Sequence, residues 1–348
     1  MSEKNMSGKK RPAKYIILRR ITLGLYIVAV ALSLVVVVSF VALKLYAPPP
    51  EVSGQVEFPL TTDRPPDQSS GPVNTSDPAG PTDSSEKPET LILHRRKGVY
   101  TCLLLGVADQ GGSDTIMLGV FDTEGRTASL TSIPRDTAVS YENRIIKISA
   151  AYSYGGVDAV RQCVKELLAV PIDYYVRVNF RAFQKIVDEI GGVWFDVPPG
   201  MDYDDPYQNL HIHLAPGYQK LNGEDALKLM RCRSAYASQD IGRAATQRAF
   251  LTALVKQTIT LSNVTKVTEL INILNTYVKS DMPLNDMVFF GTQAIGMDLD
   301  TALTSGVLST NWVSPYIVPG EKEVLKMVNS LGIYEEEVPA EVLKLVKP

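Results

Sequence analysis

The sequence predicts an α/β fold whose central mixed β-sheet is sandwiched by helices. From about residue 98, runs of β-branched and aromatic residues bounded by turn residues alternate with segments of helical periodicity. This alternation is typical of a layered structure with helices packed on a sheet. A separate apolar segment near the N-terminus predicts that one transmembrane helix precedes the fold.

The predicted transmembrane helix covers residues 21–43, which contain no charged residue. As a helix this segment would be roughly 35 Å long, enough for the hydrocarbon layer of a bilayer. Seven lysines and arginines lie in residues 1–20, so the positive-inside rule predicts a cytoplasmic N-terminus and an extracellular remainder. A cleaved signal peptide is the alternative, although its apolar core is usually only about 7–15 residues long.

The rest of the chain is predicted to consist of a linker, a folded core and a C-terminal part. Residues 44–97 are rich in Pro, Ser and Thr and poor in large apolar residues, which predicts an extracellular disordered linker. We expect a folded core at residues 98–262, followed at 263–348 by a helical C-terminal part that packs on the core or extends it. Because this exported part is slightly acidic, a nucleic-acid partner is excluded.

Local patterns predict the individual elements. The β-branched and aromatic runs predict strands at 100–107, 115–121, 127–133, 174–180, 193–197 and 210–214. Helical periodicity and capping residues predict helices at 158–170, 181–190, 222–230, 240–261, 266–278, 284–297 and 321–331.

A glycine-rich loop with two carboxylates follows the first predicted strand. Asp109 and Asp114 are five residues apart in the segment 106–114. Two such carboxylates can share a hard cation such as Mg²⁺ together with substrate phosphates. Asp and Gly are also ordinary turn residues, so a purely structural loop is the alternative. The segment lacks the Gly-Lys-Ser/Thr of a nucleotide-binding P-loop.

Three candidate ligand-binding arginines come from two distant segments of the chain. Arg135 comes directly after the predicted strand 127–133, and Arg231 and Arg233 follow about a hundred residues later. Guanidinium groups bind phosphate oxygens in pairs and stay charged at working pH. Arginines that converge from separate segments therefore indicate a phosphate or diphosphate ligand.

The predicted helix 240–261 begins with a second polar group. Asp240, Arg243 and Gln247 are spaced to share one face near its N-terminal end, where the helix dipole favours an anion. The alternative is a solvated basic face with Asp240 as the helix cap.

Nucleophilic catalysis based on histidine or cysteine is excluded by the remaining residues. The chain has three histidines and no Gly-x-Ser-x-Gly motif, and we interpret His211 and His213 as surface residues of an edge strand. The cysteines Cys102, Cys163 and Cys232 show no metal-ligand spacing and are predicted to be buried thiols, with a disulfide as the alternative.

Several motifs together resemble the LytR-CpsA-Psr family, over about residues 100–260. This family attaches teichoic acids, capsular polysaccharides or related glycopolymers to peptidoglycan. The motifs that carry the resemblance occur in the family's order: Ser113-Asp114-Thr-Ile-Met-Leu, Ser132-Ile-Pro-Arg135-Asp136, Lys147-Ile-Ser-Ala-Ala-Tyr152, Leu221-Asn-Gly-Glu224 and Arg231…Asp240…Arg243…Gln247. Thr246 stands where the family commonly has a basic residue.

The resemblance implies a site and its ligands. It implies that Asp109 and Asp114 hold Mg²⁺, with Mn²⁺ as the alternative ion, and that these two residues and Arg135 are catalytic. The implied diphosphate-binding residues are Arg135, Arg231, Arg233, Arg243, Gln247, Lys147 and Asp240. The implied partners are a polyprenyl (undecaprenyl) diphosphate-linked glycan, a peptidoglycan acceptor and the membrane.

Three functions remain open at this stage. The first is a membrane-anchored glycopolymer phosphotransferase. The second is a polyprenyl-diphosphate hydrolase that uses water as the acceptor. The third is a non-catalytic binder or regulator at the cell envelope.

Overall fold

The computed structural model describes residues 48–60, 90–107, 112–205, 210–232, 235–236, 240–258, 276–294 and 297–346. The chain divides into two compact units, one formed by Met1–Pro50 with Leu284–Thr292 and the other by the remaining residues. Within the described ranges, no helix is long and apolar enough to span a bilayer. The predicted tail and transmembrane helix at 1–43 lie outside these ranges.

Strands and helices alternate along the described chain. The strands are β1 (Gln55–Pro59), β2 (Thr90–His94), β3 (Val99–Val107), β4 (Ser113–Asp122), β5 (Thr127–Ser132), β6 (Ala138–Tyr141), β7 (Arg144–Lys147), β8 (Tyr174–Asn179), β9 (Val193–Val197), β10 (Asp202–Asp205), β11 (Leu210–His213), β12 (Gly217–Leu221), β13 (Val278–Ser280), β14 (Leu303–Val307), β15 (Thr310–Val313) and β16 (Tyr316–Pro319). The helices are α1 (Ile148–Leu168), α2 (Phe180–Glu189), α3 (Gly223–Arg231), α4 (Asp240–Thr258), α5 (Leu284–Ala294), α6 (Leu299–Ala302) and α7 (Glu321–Ser330).

The central sheet has six strands in the order β13-β8-β3-β4-β5-β14. β3 pairs antiparallel with β4 and parallel with β8, and β14 pairs parallel with β5. The predicted mixed sheet is therefore confirmed.

The main hydrophobic core covers one face of this sheet. Alternate residues of β3 and β4, such as Leu103 and Ile116, are buried in one cluster with residues of α1 and α7. The sequence predicts a helix from residue 158. α1 begins at Ile148 but is kinked at Gly155 and Gly156, which have non-helical backbone angles, and the predicted helix corresponds to the part after this kink.

The predicted disordered linker is wrong at its two described ends. β1 and β2 form an antiparallel pair that aligns Val56 with Leu93. These side chains and Phe58 are buried in the main core. The folded part therefore begins well before residue 98, because a few apolar residues at the linker's ends are enough to attach them to the core.

A second core holds the elements between β8 and the end of α4. Its buried residues come from α2, β9, β11, α3 and α4, and the largest is Phe250 of α4. Asn222 caps α3 by accepting a hydrogen bond from the Asp225 backbone N–H, as the predicted start of this helix requires.

The predicted helical C-terminal part requires correction. Besides α5–α7, its described residues form β13–β16, and β14 extends the central sheet at the edge beyond β5. These strands have only three to five residues each. Such short strands show too little alternation to be predicted from the sequence.

Candidate active site

A pocket lies where β4 begins and β5 ends. The antiparallel register pairs Met117 of β4 with Ser132 of β5, which places the start of β4 beside the segment that leaves β5. Helix α4 also lines the pocket. The lining residues are Asp114, Thr115, Ile116, Met117, Ser132, Ile133, Pro134, Arg135, Asp136, Arg243, Ala244, Gln247, Val307 and Ile317.

Arg135 and Asp114 form an ion pair on this lining. Arg135 Nη1 donates to Asp114 Oδ1 over 2.5 Å, and the two side chains are 28% and 35% exposed. An arginine carries five N–H donors, so one contact to a carboxylate leaves most of its capacity for other acceptors. The pair can therefore bind an anion through Arg135 and a cation through Asp114.

Asp136 positions the basic residues beside it. Its carboxylate is nearly buried and lies 3.0 Å from Lys147 Nζ and 3.8 Å from Arg135 Nε. Lys147 ends β7, directly before α1. The structure thus brings Lys147 to the site through Asp136.

Helix α4 contributes Arg243 and Gln247, which are one turn apart and each 5% exposed. Gln247 Oε1 accepts from Thr115 Oγ1 at 3.1 Å, and its Nε2 donates to the Met230 carbonyl at 2.9 Å. The glutamine amide thereby joins α4 to both β4 and the end of α3.

Arg231 has a different environment from the pocket residues. Its guanidinium lies over the Phe180 ring at 5.0 Å from the ring centroid, at the junction of β8 and α2. Asp109, Arg233 and the side chain of Asp240 lie outside the described residues. Of the predicted site residues, Asp114, Arg135, Arg243 and Gln247 therefore line one pocket.

Sequence analysis missed Thr115, Ser132 and Arg248. The Ser132 hydroxyl is buried on the pocket lining without a hydrogen-bond partner among the described residues. Arg248 follows the pocket-lining Ala244 by one turn of α4, and its Nε and Nη1 are buried and also lack such partners. Burial lowers the pKa of Arg248. The family commonly has a basic residue at the position of Thr246, and Arg248 lies two residues after it. This neighbouring arginine is the signal that the sequence offered.

Cys102, Cys163 and Cys232, all among the described residues, form no disulfide. The hypothesis of buried thiols is confirmed for Cys163 and Cys232, while Cys102 is half-buried. Burial raises the pKa of Cys102 and that of Cys163 to about 12. These two thiols are therefore poor nucleophiles at neutral pH.

The fold and pocket define a class of protein: a mixed α/β domain with arginines and carboxylates gathered at the ends of two sheet strands. Comparison with known proteins identifies the family. Residues 70–330, more than half of the chain, match the model of the LytR_cpsA_psr family. The chain belongs to this family, which confirms the resemblance seen in its motifs.

Curated relatives are named as teichoic acid transferases. The chain is 34% identical over 189 residues to the polyisoprenyl-teichoic acid–peptidoglycan teichoic acid transferase TagV of Bacillus subtilis (strain 168), covering 51% of this chain and 48% of TagV. It is 34% identical over 191 residues to TagU of Bacillus cereus, covering 53% of this chain and 61% of TagU. The chain thus spans about half the length of TagV.

Solved structures have the same fold. The crystal structure of B. subtilis TagV superposes with a TM-score of 0.59 at 27% identity, covering 68% of this chain and 96% of TagV. A structure of TagT bound to LIIa-WTA superposes with a TM-score of 0.56 at 26% identity, covering 68% of this chain and 90% of TagT.

Proposed function

We propose that this protein is a membrane-anchored phosphotransferase that moves a glycopolymer phosphate from a polyprenyl diphosphate carrier to peptidoglycan. One observation carries the proposal: Asp114, Arg135, Arg243 and Gln247 line a single pocket. The names of TagV and TagU, teichoic acid transferases that use polyisoprenyl-linked teichoic acid and peptidoglycan, support this class of substrate.

The pocket suits this reaction because the diphosphate linkage is already activated. The protein has to position the acceptor hydroxyl and neutralise the charge that collects on the leaving polyprenyl phosphate. Arg135 and Arg243 both line the pocket and supply positive charge to it. The Asp136 carboxylate lies 3.8 Å from Arg135 Nε, and Gln247 joins α4 to β4 through Thr115.

We further propose that Asp114, together with Asp109, holds Mg²⁺, or Mn²⁺ in its place. Asp114 fits this role because its carboxylate is partly exposed at the pocket and offers the hard oxygen ligands that Mg²⁺ prefers. The bound ion would neutralise phosphate charge. Arg135, which shares Asp114, would then turn its other N–H groups to the substrate.

The face of the sheet that carries Met117 and Ser132 also supports a lipid-linked substrate. Leu104 pairs with Met117 and therefore lies on the same face, and Phe121 and Leu130 continue it by strand alternation. These three apolar residues are only half-buried. We propose that the polyprenyl chain packs against this face.

The proposed membrane topology rests on charge. Residues 1–20 are strongly basic and residues 21–43 are uncharged, so the N-terminus is assigned to the cytoplasm and the enzyme domain to the cell exterior. In this position the pocket has access to carrier lipids in the outer leaflet.

The test is reconstitution of the purified full-length chain with a polyprenyl diphosphate bearing a fluorescent glycan and with peptidoglycan fragments. We expect Mg²⁺-dependent appearance of label on peptidoglycan, stopped by EDTA and restored by Mg²⁺. Arg243→Lys retains the charge but loses the planar fork, and we expect it to lower the rate.

Other results would contradict transfer. Label released as free glycan phosphate would indicate a diphosphate hydrolase. Lipid binding without turnover at any Mg²⁺ or Mn²⁺ concentration would indicate a binder or regulator. Arg144→Ala, which removes an exposed arginine of β7, serves as the matched control for a general loss of charge.

A further inference from the structure

The hairpin β10–β11 carries four polar residues on one face. Its register pairs Asp202 with His213 and Asp204 with His211. Residues two apart on a strand share a face, so all four side chains project to the same side, and all four residues are exposed. The opposite face packs Leu210 and Ile212 into the second core.

Three of these side chains place ligand atoms close together. One oxygen or nitrogen from each of Asp204, His211 and His213 lies within 4.8 Å of the others. Asp204 Oδ1 is 2.5 Å from His211 Nδ1 and 3.4 Å from His213 Nε2. One carboxylate oxygen is thus shared by two imidazole rings.

Asp202 orients one of the rings. Its Oδ1 lies 2.6 Å from His213 Nδ1, so this nitrogen carries the ring proton and donates it, while Nε2 faces Asp204. Metal-binding histidines commonly donate the N–H of the ring nitrogen that does not bind the metal to a carboxylate, which fixes the tautomer of the ring.

We propose that Asp204, His211 and His213 bind a divalent transition-metal ion of the zinc type, with Asp202 as the residue that positions His213. Two imidazoles and one carboxylate are typical ligands for Zn²⁺, whereas Mg²⁺ and Ca²⁺ prefer oxygen ligands alone. This site consists of different residues from the proposed Mg²⁺ site and is independent of the transferase activity.

The spacing fits tetrahedral coordination. Ligand atoms about 2.0–2.1 Å from a tetrahedral Zn²⁺ lie about 3.3 Å from one another. The pair formed by His213 Nε2 and Asp204 Oδ1 already has this spacing, at 3.4 Å. His211 Nδ1 has to withdraw from Asp204 Oδ1 by about 0.8 Å. The ligand atoms of His211 and His213 lie within 4.8 Å of each other, so rotation of these exposed side chains can bring the three atoms to tetrahedral spacing.

A bound ion would reinforce this short hairpin. β10 and β11 have four residues each and form a two-stranded sheet of their own among the described strands. Leu210 and Ile212 attach β11 to the second core, whereas β10 has no residue in that core. An ion held by Asp204 of β10 and by His211 and His213 of β11 joins the two strands and stabilises their register.

The experiment titrates the untagged full-length chain with Zn²⁺ by calorimetry and records the visible spectrum of the Co²⁺ form. We expect one equivalent of Zn²⁺ to bind and Co²⁺ to give the intense spectrum of tetrahedral coordination. His211→Asn and His213→Asn should abolish this binding. Asp202→Asn should weaken it by about 10–100-fold, the usual effect of removing a carboxylate behind a ligating histidine.

His94→Asn is the matched control, because it removes the chain's one other histidine. His94 pairs with Glu336 and does not belong to the cluster of Asp204, His211 and His213. This variant should bind Zn²⁺ normally. The proposal is overturned if the chain shows no saturable Zn²⁺ binding, or if His94→Asn loses binding while His211→Asn keeps it. Circular dichroism of the metal-free variants verifies that each is folded, so a loss of binding reports on the ligands themselves.

Discussion

Two arginine–aspartate pairs in this protein differ in burial and in the number of hydrogen bonds that join the two partners. Arg95 forms a two-point contact with Asp173, at 2.6 and 2.7 Å, and both side chains are under 10% exposed. Arg135 forms one hydrogen bond with Asp114, and both side chains are about one-third exposed on the pocket lining. Among the described residues, neither arginine Nε has a hydrogen-bond partner, so the difference between the pairs lies in the terminal nitrogens.

The surroundings of the first pair explain its role. Arg95 Nη2 also donates to the Val99 carbonyl at 2.8 Å, and Asp173 Oδ2 accepts from the Thr101 backbone N–H at 2.8 Å and from its hydroxyl at 3.0 Å. This network ties the start of β3 to the segment before β8. Breaking the buried pair would leave an uncompensated charge in the interior, whereas the partly exposed Arg135 keeps N–H donors that can bind a ligand.

The largest expected effect is on stability, at the buried pair. Arg95→Met leaves Asp173 as a buried carboxylate without its cation, which costs about 3–5 kcal/mol in free energy of unfolding. Urea denaturation followed by circular dichroism measures this loss. The neighbouring Arg96 pairs with Asp122 at an exposed position, so Arg96→Met should cost less than about 1 kcal/mol. Equal losses in the two variants would refute the comparison.

At the pocket pair, we expect the effect on rate instead. Arg135→Ala removes an electrostatic contact to the transferred phosphate and should lower kcat by about 10²–10³-fold. Its free energy of unfolding should change by no more than about 1 kcal/mol, because the pair is partly exposed. Single-turnover transfer and urea denaturation measure the two quantities. Near-normal turnover would show that Arg135 does not contact the reacting phosphate.

The sequence predicts the central strands well because long buried strands impose a readable pattern. β3, β4, β5 and β8 lie within a residue or two of their predicted positions. β10, with the sequence Asp-Tyr-Asp-Asp, was missed because its exposed residues carry no apolar alternation. The role of the linker's ends was also missed, since only long-range pairing of β1 with β2 reveals it.

Only part of the site could be predicted, because the sequence shows residue types but not their tertiary positions. Residue type indicated Arg135, Arg243 and Asp114, because guanidinium groups commonly bind phosphate and carboxylates commonly bind cations. Their position in one pocket depends on the antiparallel register of β4 with β5, which motif spacing does not contain. The stacking of Arg231 on Phe180 and the histidine–aspartate cluster of β10–β11 likewise arise from tertiary structure.

A smaller effect should arise at Gln247, which belongs to neither pair but supports the pocket. Gln247→Met leaves the Met230 carbonyl and the Thr115 hydroxyl without their present partner, which should cost about 1–3 kcal/mol in free energy of unfolding. The rate should fall less than in Arg135→Ala. Gln162→Met, on the exposed face of α1, is the control and should have almost no effect on either quantity. A stability loss equal to that of the control would mean that Gln247 does not join α4 to β4.

The smallest effect on stability is expected at Arg248, which sharpens the comparison because this guanidinium is partly buried without an acidic partner among the described residues. Arg248→Met removes two buried N–H donor groups that have no hydrogen-bond partner among the described residues. If such donors serve a ligand, the substitution should leave the free energy of unfolding unchanged within about 1 kcal/mol, or raise it. The KM for the carrier lipid should rise about tenfold, the equivalent of one charge-assisted hydrogen bond. Arg248→Lys should restore part of this affinity. A loss of more than about 2 kcal/mol in stability with an unchanged KM would place Arg248 with Arg95 among the structural arginines.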